Sequence, residues 1–433
     1  MRELVRAPGR LRGELEPPGD KSLSHRLAML NAIAEGSSRI EHFSAARDCA
    51  STLRCLRALG VKLTPQTTTS GLVVTVHGAG RQGLREPENV LEAGNSGTTM
   101  RLLAGVLAGQ PFLSVISGDS SLRRRPMGRI IEPLRLMGAD VRGRVGDARA
   151  PLVIRGGRLK GITYDLPVAS AQVKSALLLA GLSAEGETRL REPAQSRDHT
   201  ERLLHRMGAV IDSGDGWVQV RALDSDLAAL SMRVPGDVSA CAFWLVAACA
   251  HSDARLRLRG VGVNPTRAAL IDVLKRMGAR ITVGPDDGGV EPAADVEVES
   301  STLRKTEIGP ELVPSLVDEL PALALAACFA EGETTITGAG ELRVKESDRI
   351  RGAVTLLRAF GADVAELTDG LLVRGRGKLH AARVSSLGDH RLAMLAGVAG
   401  LLAEGETEIA GAETASVSYP EFWRDLRYIS GEG

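Results

Sequence analysis

Residues 357–364, LRAFGADV, read as the last turn of an amphipathic helix that stops on Gly361 and runs straight into a short strand. A glycine just past the last apolar helical position takes up the left-handed conformation that ends a helix. The same phrase occurs at 56–63 (LRALGVKL), 134–141 (LRLMGADV), 204–211 (LHRMGAVI) and 274–281 (LKRMGARI). Its glycines, Gly60, Gly138, Gly208, Gly278 and Gly361, lie about 70–83 residues apart. A second phrase runs in phase with it: a small-residue helix tail, a turn and a short strand. It begins at Ala34-Glu35-Gly36, Ala108-Gly109, Ala184-Glu185-Gly186, Ala250-His251, Ala330-Glu331-Gly332 and Ala403-Glu404-Gly405. Solenoid repeats usually run about 20–50 residues. The longer period here predicts an α/β protein of six small units, each strand–helix–strand–helix–strand–strand with its own sheet. What recurs six times is scaffold, and what occurs once is a candidate for chemistry.

Working outward, two Pro-Gly-Asp turns, at Pro18-Gly19-Asp20 and Pro235-Gly236-Asp237, mark breaks in the series. They divide the chain into a lobe of three units, residues 20–234, and a second lobe of residues 1–19 plus 235–433, with a two-strand hinge between them. Ligands are expected in the cleft of such a pair. Composition is that of an ordinary globular protein, with 43% hydrophobic and 25% charged residues over 433 positions. A net charge of +1 and only 3% aromatic residues argue against nucleic-acid binding and a polybasic membrane surface. The N-terminus lacks the apolar core of a signal peptide and no apolar run reaches membrane-spanning length, so a cytoplasmic protein is expected. Cys49, Cys55, Cys241, Cys249 and Cys328 are odd in number, lack CxxC pairing and sit in helix-like surroundings, as reduced buried thiols do.

The unrepeated residues collect where helices begin. PGDKSLSHR (18–26) places Lys21, Ser22 and Arg26 at a helix start, where unpaired N–H groups favour anions. GNSGTTMR (94–101) is a second Gly/Ser/Thr turn of that kind. In RRRPMGR (123–129), Arg125 precedes a proline that fixes the backbone. SAQVKS (170–175) opens an apolar helix with hydroxyl and amide donors, and SRDHTE (196–201) precedes another. VDELPAL (317–323) sets Asp318 and Glu319 before a buried helix, a place where acids often serve as caps. LRVKESDR (342–349) and GDHR (388–391) complete the set. Lys21, Arg125, Lys345, Arg349 and Arg391 thus gather at unrepeated positions of a nearly neutral chain, which suits ligands carrying several negative charges.

In order and spacing, these motifs resemble the 5-enolpyruvylshikimate-3-phosphate synthase family over essentially the whole chain. The resemblance implies a two-lobed, inside-out α/β barrel-like fold of six βαβαββ repeats. It also implies transfer of the carboxyvinyl group of phosphoenolpyruvate to the 5-hydroxyl of shikimate 3-phosphate, in aromatic amino-acid biosynthesis, with no metal or organic cofactor and as a monomer. Carried over residue by residue, it assigns shikimate 3-phosphate to Lys21, Ser22, Arg26, Ser170, Ala171, Gln172, Arg197, Asp318 and Lys345. Phosphoenolpyruvate falls to Lys21, Gly97, Arg125, Gln172, Arg349 and Arg391. Asp318 would be the base toward the attacking hydroxyl, and Glu346 with Lys21 would handle the proton at the methylene. Val417, where many members have lysine, and Ala171, where many have a second serine, resemble the class II branch. Two other readings are weighed. The UDP-N-acetylglucosamine enolpyruvyltransferases share the fold but have a reactive cysteine near the segment occupied here by 120–125, and no cysteine lies between Cys55 and Cys241. A non-catalytic anion-binding scaffold would have no need of Asp318 and Glu346 among its cations.

Overall fold

A computed structural model describes residues 1–69 and 71–432. The chain forms two compact bodies, one of Gly19–Val234 and the other of Met1–Pro18 with Pro235–Gly433. Among the described residues the strands form five four-stranded sheets, one three-stranded sheet and three two-stranded ladders. The unit around residue 190 shows the plan. Thr163–Asp165 pairs in parallel with Glu187–Arg191, Trp217–Arg221 runs antiparallel to that strand, and Ile211–Gly214 closes the far edge. Thr188 and Leu190 face Val218 and Val220 on the buried side, the alternation of a half-buried sheet. The recurring glycines stand where helix gives way to strand, with φ of +88° at Gly60 and +84° at Gly361.

Each unit has two kinds of helix. The outer kind is amphipathic: Ala269–Arg276 buries Leu270, Ile271, Val273 and Leu274 and leaves its other face to solvent. The inner kind is apolar on every side, because it is enclosed on every side. Val238–Ala250 is buried from Val238 through Cys249, and Leu320–Cys328 is buried throughout. In one body Gly97–Ala108 packs on Ala171–Gly181, so closely that a Cβ on Gly105 would lie 2.0 Å from the Ala176 carbonyl oxygen. In the other, Val238–Ala250, Leu320–Cys328 and His390–Leu402 pack on one another. Within each body the helices lie inside and the sheets outside, the inside-out arrangement that the family resemblance implies. All five cysteines are free and buried. No helix among the described residues is long and apolar enough to cross a membrane.

One feature of the repeat differs from its sequence reading. The Ala-Glu pairs read as helix tails are two-residue strands at Ala34–Glu35, Ala184–Glu185 and Ala403–Glu404. Each pairs in parallel with a short strand of another unit: Leu227–Ala228, Leu159–Lys160 and Leu379–His380 respectively. Alanine suits the buried position of such a ladder and glutamate the exposed one. These ladders tie units of one body together and satisfy backbone groups that a bare helix end would leave unpaired. Sequence order is also broken twice. Arg2–Arg6 completes the sheet of Glu406–Ala410, and Leu11–Leu15 lies beside Ala254–Gly262.

Candidate active site

In the Gly19–Val234 body, the helix Lys21–Ala32 is capped by Asp20, whose carboxylate accepts the Leu23 N–H at 2.8 Å. That cap presents Lys21 and Ser22 in the first turn. Lys21 pairs with Asp48 at 3.3 Å, a carboxylate the sequence reading did not single out. Beneath them runs a buried hydroxyl chain. The His25 Nδ1 lies 2.6 Å from Thr52 Oγ1, Thr52 lies 2.7 Å from Thr99, and Thr99 donates to Ser96 Oγ at 2.8 Å. Burial, with Lys21 and Arg26 adding to it, pushes the His25 pKa well below its usual value, so the ring is neutral here. Ser96 also caps the helix Gly97–Ala108, so the chain joins two helix starts suited to anions.

Arg26 is 3% exposed and joins three segments. Its guanidinium donates to Thr200 Oγ1 and Ser175 Oγ, both at 2.8 Å, and to the Ser22 carbonyl at 3.1 Å. Ser175 in turn donates to the Ala171 carbonyl at 2.6 Å. Arg26 is thereby fixed to the helix Ala171–Gly181, whose start carries Ser170 as cap and Gln172. Gln172 accepts from Arg101 at 2.5 Å and donates to Thr98 Oγ1 at 2.9 Å. Arg101 also donates to the Pro126 carbonyl at 3.2 Å, next to Arg125, which donates to Asn95. Gly97 lies under both guanidinium groups. A Cβ there would sit 2.7 Å from Arg101 Nη1 and 3.3 Å from Arg125 Nη1. The structure therefore brings Gly97, Arg125 and Gln172 together, with Arg101 between them. Arg101 was visible in the motif but carried no assigned role.

Lys174, the fifth residue of SAQVKS, turns the other way. It is 2% exposed and bridges Glu192 at 2.8 Å and Glu201 at 2.6 Å, with the Ser196 carbonyl at 3.4 Å. Its role is to tie the loop carrying half-buried Arg197 to the helix that carries Ser170 and Gln172.

In the other body the chemistry centres on Arg349, which is 2% exposed. Its nitrogens reach Asp389 at 2.9 Å, Glu346 at 2.6 Å and Asp318 at 3.2 Å. Burial alone would lower the pKa of this guanidinium, but Asp389, Glu346 and Asp318 outweigh it and keep the group charged. For Asp389, burial pushes the carboxyl up, yet Arg349 and His390 hold it below its usual value. Asp389 also accepts from Ser347 Oγ at 2.9 Å and, as the cap of the helix His390–Leu402, from the Arg391 N–H at 2.8 Å. Arg391 is 5% exposed, reaches the Ser239 carbonyl at 3.5 Å, and has a buried Nε with no partner. Lys345 stands half-buried at the end of the 3-10 turn Gly340–Val344. Asp318 and Glu346, far apart in sequence, thus share one cation. Asp318, Glu346 and Asp389 meet around one buried guanidinium. Asp389 was quoted within GDHR but was not singled out; its signal was the Gly-Asp step that also precedes the helices at 21 and 238.

Comparison with known proteins gives a consistent result. The family model for EPSP synthase (3-phosphoshikimate 1-carboxyvinyltransferase) matches residues 5–426. A 3-phosphoshikimate 1-carboxyvinyltransferase of Herpetosiphon aurantiacus is 50% identical over 432 residues, covering 99% of both chains. Its counterpart in Pelotomaculum thermopropionicum is 53% identical over 414 residues and 95% of both chains. Among solved structures, an EPSP synthase from Acinetobacter baumannii superposes with a TM-score of 0.86 at 43% identity, covering 99% of this chain and 98% of that one.

Proposed function

The chain belongs to the EPSP synthase family, and we propose that the Arg349 carboxylate cluster and the Lys21 helix start carry out the proton transfers of that family's reaction. The enzyme transfers the enolpyruvyl group of phosphoenolpyruvate to the 5-hydroxyl of shikimate 3-phosphate in the shikimate pathway, releasing phosphate. In the addition step Asp318 takes the hydroxyl proton as its oxygen bonds to C2 of phosphoenolpyruvate. Glu346, with Lys21, delivers a proton to C3. In the elimination step C3 gives its proton back, the C2–O bond to phosphate breaks, and the proton held by Asp318 leaves with the phosphate. Positioned acids and bases of this kind contribute about 10²–10⁴-fold each. Holding two polyanions in register supplies much of the rest.

Shikimate 3-phosphate draws on Lys21, Ser22, Arg26, Ser170, Ala171, Gln172, Arg197, Asp318 and Lys345. Phosphoenolpyruvate draws on Lys21, Gly97, Arg125, Gln172, Arg349 and Arg391. The observation that supports these roles most directly is that Asp318 and Glu346, from separate segments, meet on one buried guanidinium. The five free, buried cysteines support a cytoplasmic enzyme, which we take to act as a monomer. The test is phosphate release measured with each substrate alone and with both, in the native chain and in Asp318→Ala. Release is expected only with both substrates, and the variant should lose about 10²–10⁴-fold in kcat with binding of both substrates within tenfold. An unchanged kcat would refute the base assignment.

A further inference from the structure

The inner helices of the six units share a device at their first residue, and one of them departs from it. Asp20, Ser96, Ser170, Asp237 and Asp389 each use a short side chain to accept a backbone N–H of the helix that follows. At the corresponding place before Leu320–Cys328 stands Glu319, which makes no such bond. Its side chain turns into the body and is 1% exposed. There Oε1 accepts from Arg267 at 2.7 Å and from the Ser239 hydroxyl. Arg267, 4% exposed, also donates to Ser239 Oγ and reaches Asp237 at 3.4 Å. The second oxygen of Glu319 is buried with no partner.

Stability does not account for this arrangement. Replacing a buried ion pair with apolar groups of similar volume is often neutral or stabilising. The same fold also manages five times with a serine or aspartate cap. What distinguishes Glu319 is its neighbour, Asp318. The two consecutive side chains part company, one anchored to Arg267 and Ser239, the other meeting Arg349 at 3.2 Å. The backbone between them is held by the Glu319 N–H on the Leu316 carbonyl at 2.8 Å and by the Leu323 N–H on the Glu319 carbonyl at 3.0 Å.

We propose that Arg267 and Glu319 form a buried positioning pair that fixes the Asp318 turn, so that the Asp318 carboxylate is aimed from its backbone end as well as from Arg349. The inference rests on Asp318 being the base. Glu319 touches no reacting atom, and its effect passes through Asp318. A misplacement of about 1 Å in a reacting group can cost on the order of 10²-fold in rate.

The experiment compares Glu319→Gln with the double variant Glu319→Gln/Arg267→Met, which removes both charges of the pair and leaves Asp237 the Ser239 N–H at 2.8 Å. Both are made in the native chain and in Asp318→Ala, with kcat, KM for each substrate and Tm measured for each. The double variant is expected to melt within a few degrees of the native chain, keep both KM values within about threefold, and lose about 10- to 100-fold in kcat. In the Asp318→Ala background the same two substitutions should cost no further rate. A native kcat in the double variant, or a loss that persists in full without Asp318, overturns the proposal. A native kcat in Asp318→Ala alone would remove the base assignment and the positioning role with it, whereas a lowered kcat there with a native kcat in the double variant removes the positioning role only.

Discussion

Replacing Arg349 by methionine should expose how much of the second body depends on one guanidinium. The substitution keeps an unbranched apolar stem and removes a charge that three carboxylates share at 2.6, 2.9 and 3.2 Å. These partners differ in their access to water. Glu346 and Asp318 are 15% and 18% exposed and can recruit solvent, whereas Asp389 is fully enclosed. Breaking a buried pair by removing one partner costs about 3–5 kcal/mol, and Asp389 alone justifies that figure. At about 2–4 °C per kcal/mol for a body of this size, Tm should fall by roughly 6–20 °C at pH 7.5. The pH dependence supplies a sharper check. In the native chain Arg349 and His390 hold Asp389 below its ordinary 3.8 against the effect of burial. Its stabilising contribution is therefore complete above that value and lost as pH falls through the folded-state pKa. In the variant the main depressing charge is gone and burial remains, so the carboxyl moves up. The penalty then grows as pH rises through the raised value and is relieved on acidification. Calorimetric scans at pH 7.5 and pH 5 should show the gap between native and variant narrowing at the lower pH. A Tm within about 2 °C of native at pH 7.5, or a gap that widens at pH 5, would refute the reasoning.

Lys21→Met should lose both binding and turnover, with KM for each substrate rising and kcat falling about 10²-fold or more; native KM values for both would argue against its place at the anion site. Gly97→Ala sets a methyl 2.7 Å from Arg101 Nη1 and 3.3 Å from Arg125 Nη1. Both are ends of flexible side chains, so the fold should lose less than about 1 kcal/mol while the Arg101–Gln172 bond gives way. Melting should then be nearly unchanged, with KM for phosphoenolpyruvate up about tenfold, the equivalent of about 1.4 kcal/mol. Lys174→Met strands the buried side chains of Glu192 and Glu201 and should cost about 3–5 kcal/mol. Denaturant unfolding would show the loss, together with a raised KM for shikimate 3-phosphate as the loop before Arg197 loosens. Unchanged unfolding would mean that the three-charge cluster carries little of the loop's stability.

Much of this structure could be read from local pattern. Gly60 and Gly361 announced helix ends because a left-handed residue is favoured there, and the PGDKS and GNSGTT turns announced helix starts, where the structure then shows Asp20 and Ser96 as the caps. Both signals depend on neighbours a few residues away. The candidate anion-binding groups were legible for the same reason, being placed at helix starts that can be seen in one line of text. Less visible was anything that depends on pairing across long separations. Lys174 and Lys21 are both lysines beside serines, yet one is an internal strut between Glu192 and Glu201 and the other is partnered by Asp48. Only the folded chain tells them apart. Glu319 looked like a cap and is not one: its longer side chain turned inward to Arg267, more than fifty positions away. The Ala-Glu ladders were misread because a two-residue strand has too few residues to show a period.

The borrowed strands have a consequence for how the polypeptide is made. Gly19–Val234 is one continuous stretch, so every partner it needs has been synthesised by the time Val234 emerges. The other body cannot close in that way. Leu11–Leu15 waits for Ala254–Gly262, and Arg2–Arg6 waits for Glu406–Ala410, about 400 residues further along the chain. Through that interval these two segments lack the strands they pair with, and their edge N–H and C=O groups are open to other chains. The charged side chains spaced along them, Arg2, Glu3, Arg6, Arg12 and Glu14, keep such edges apart until the last unit arrives.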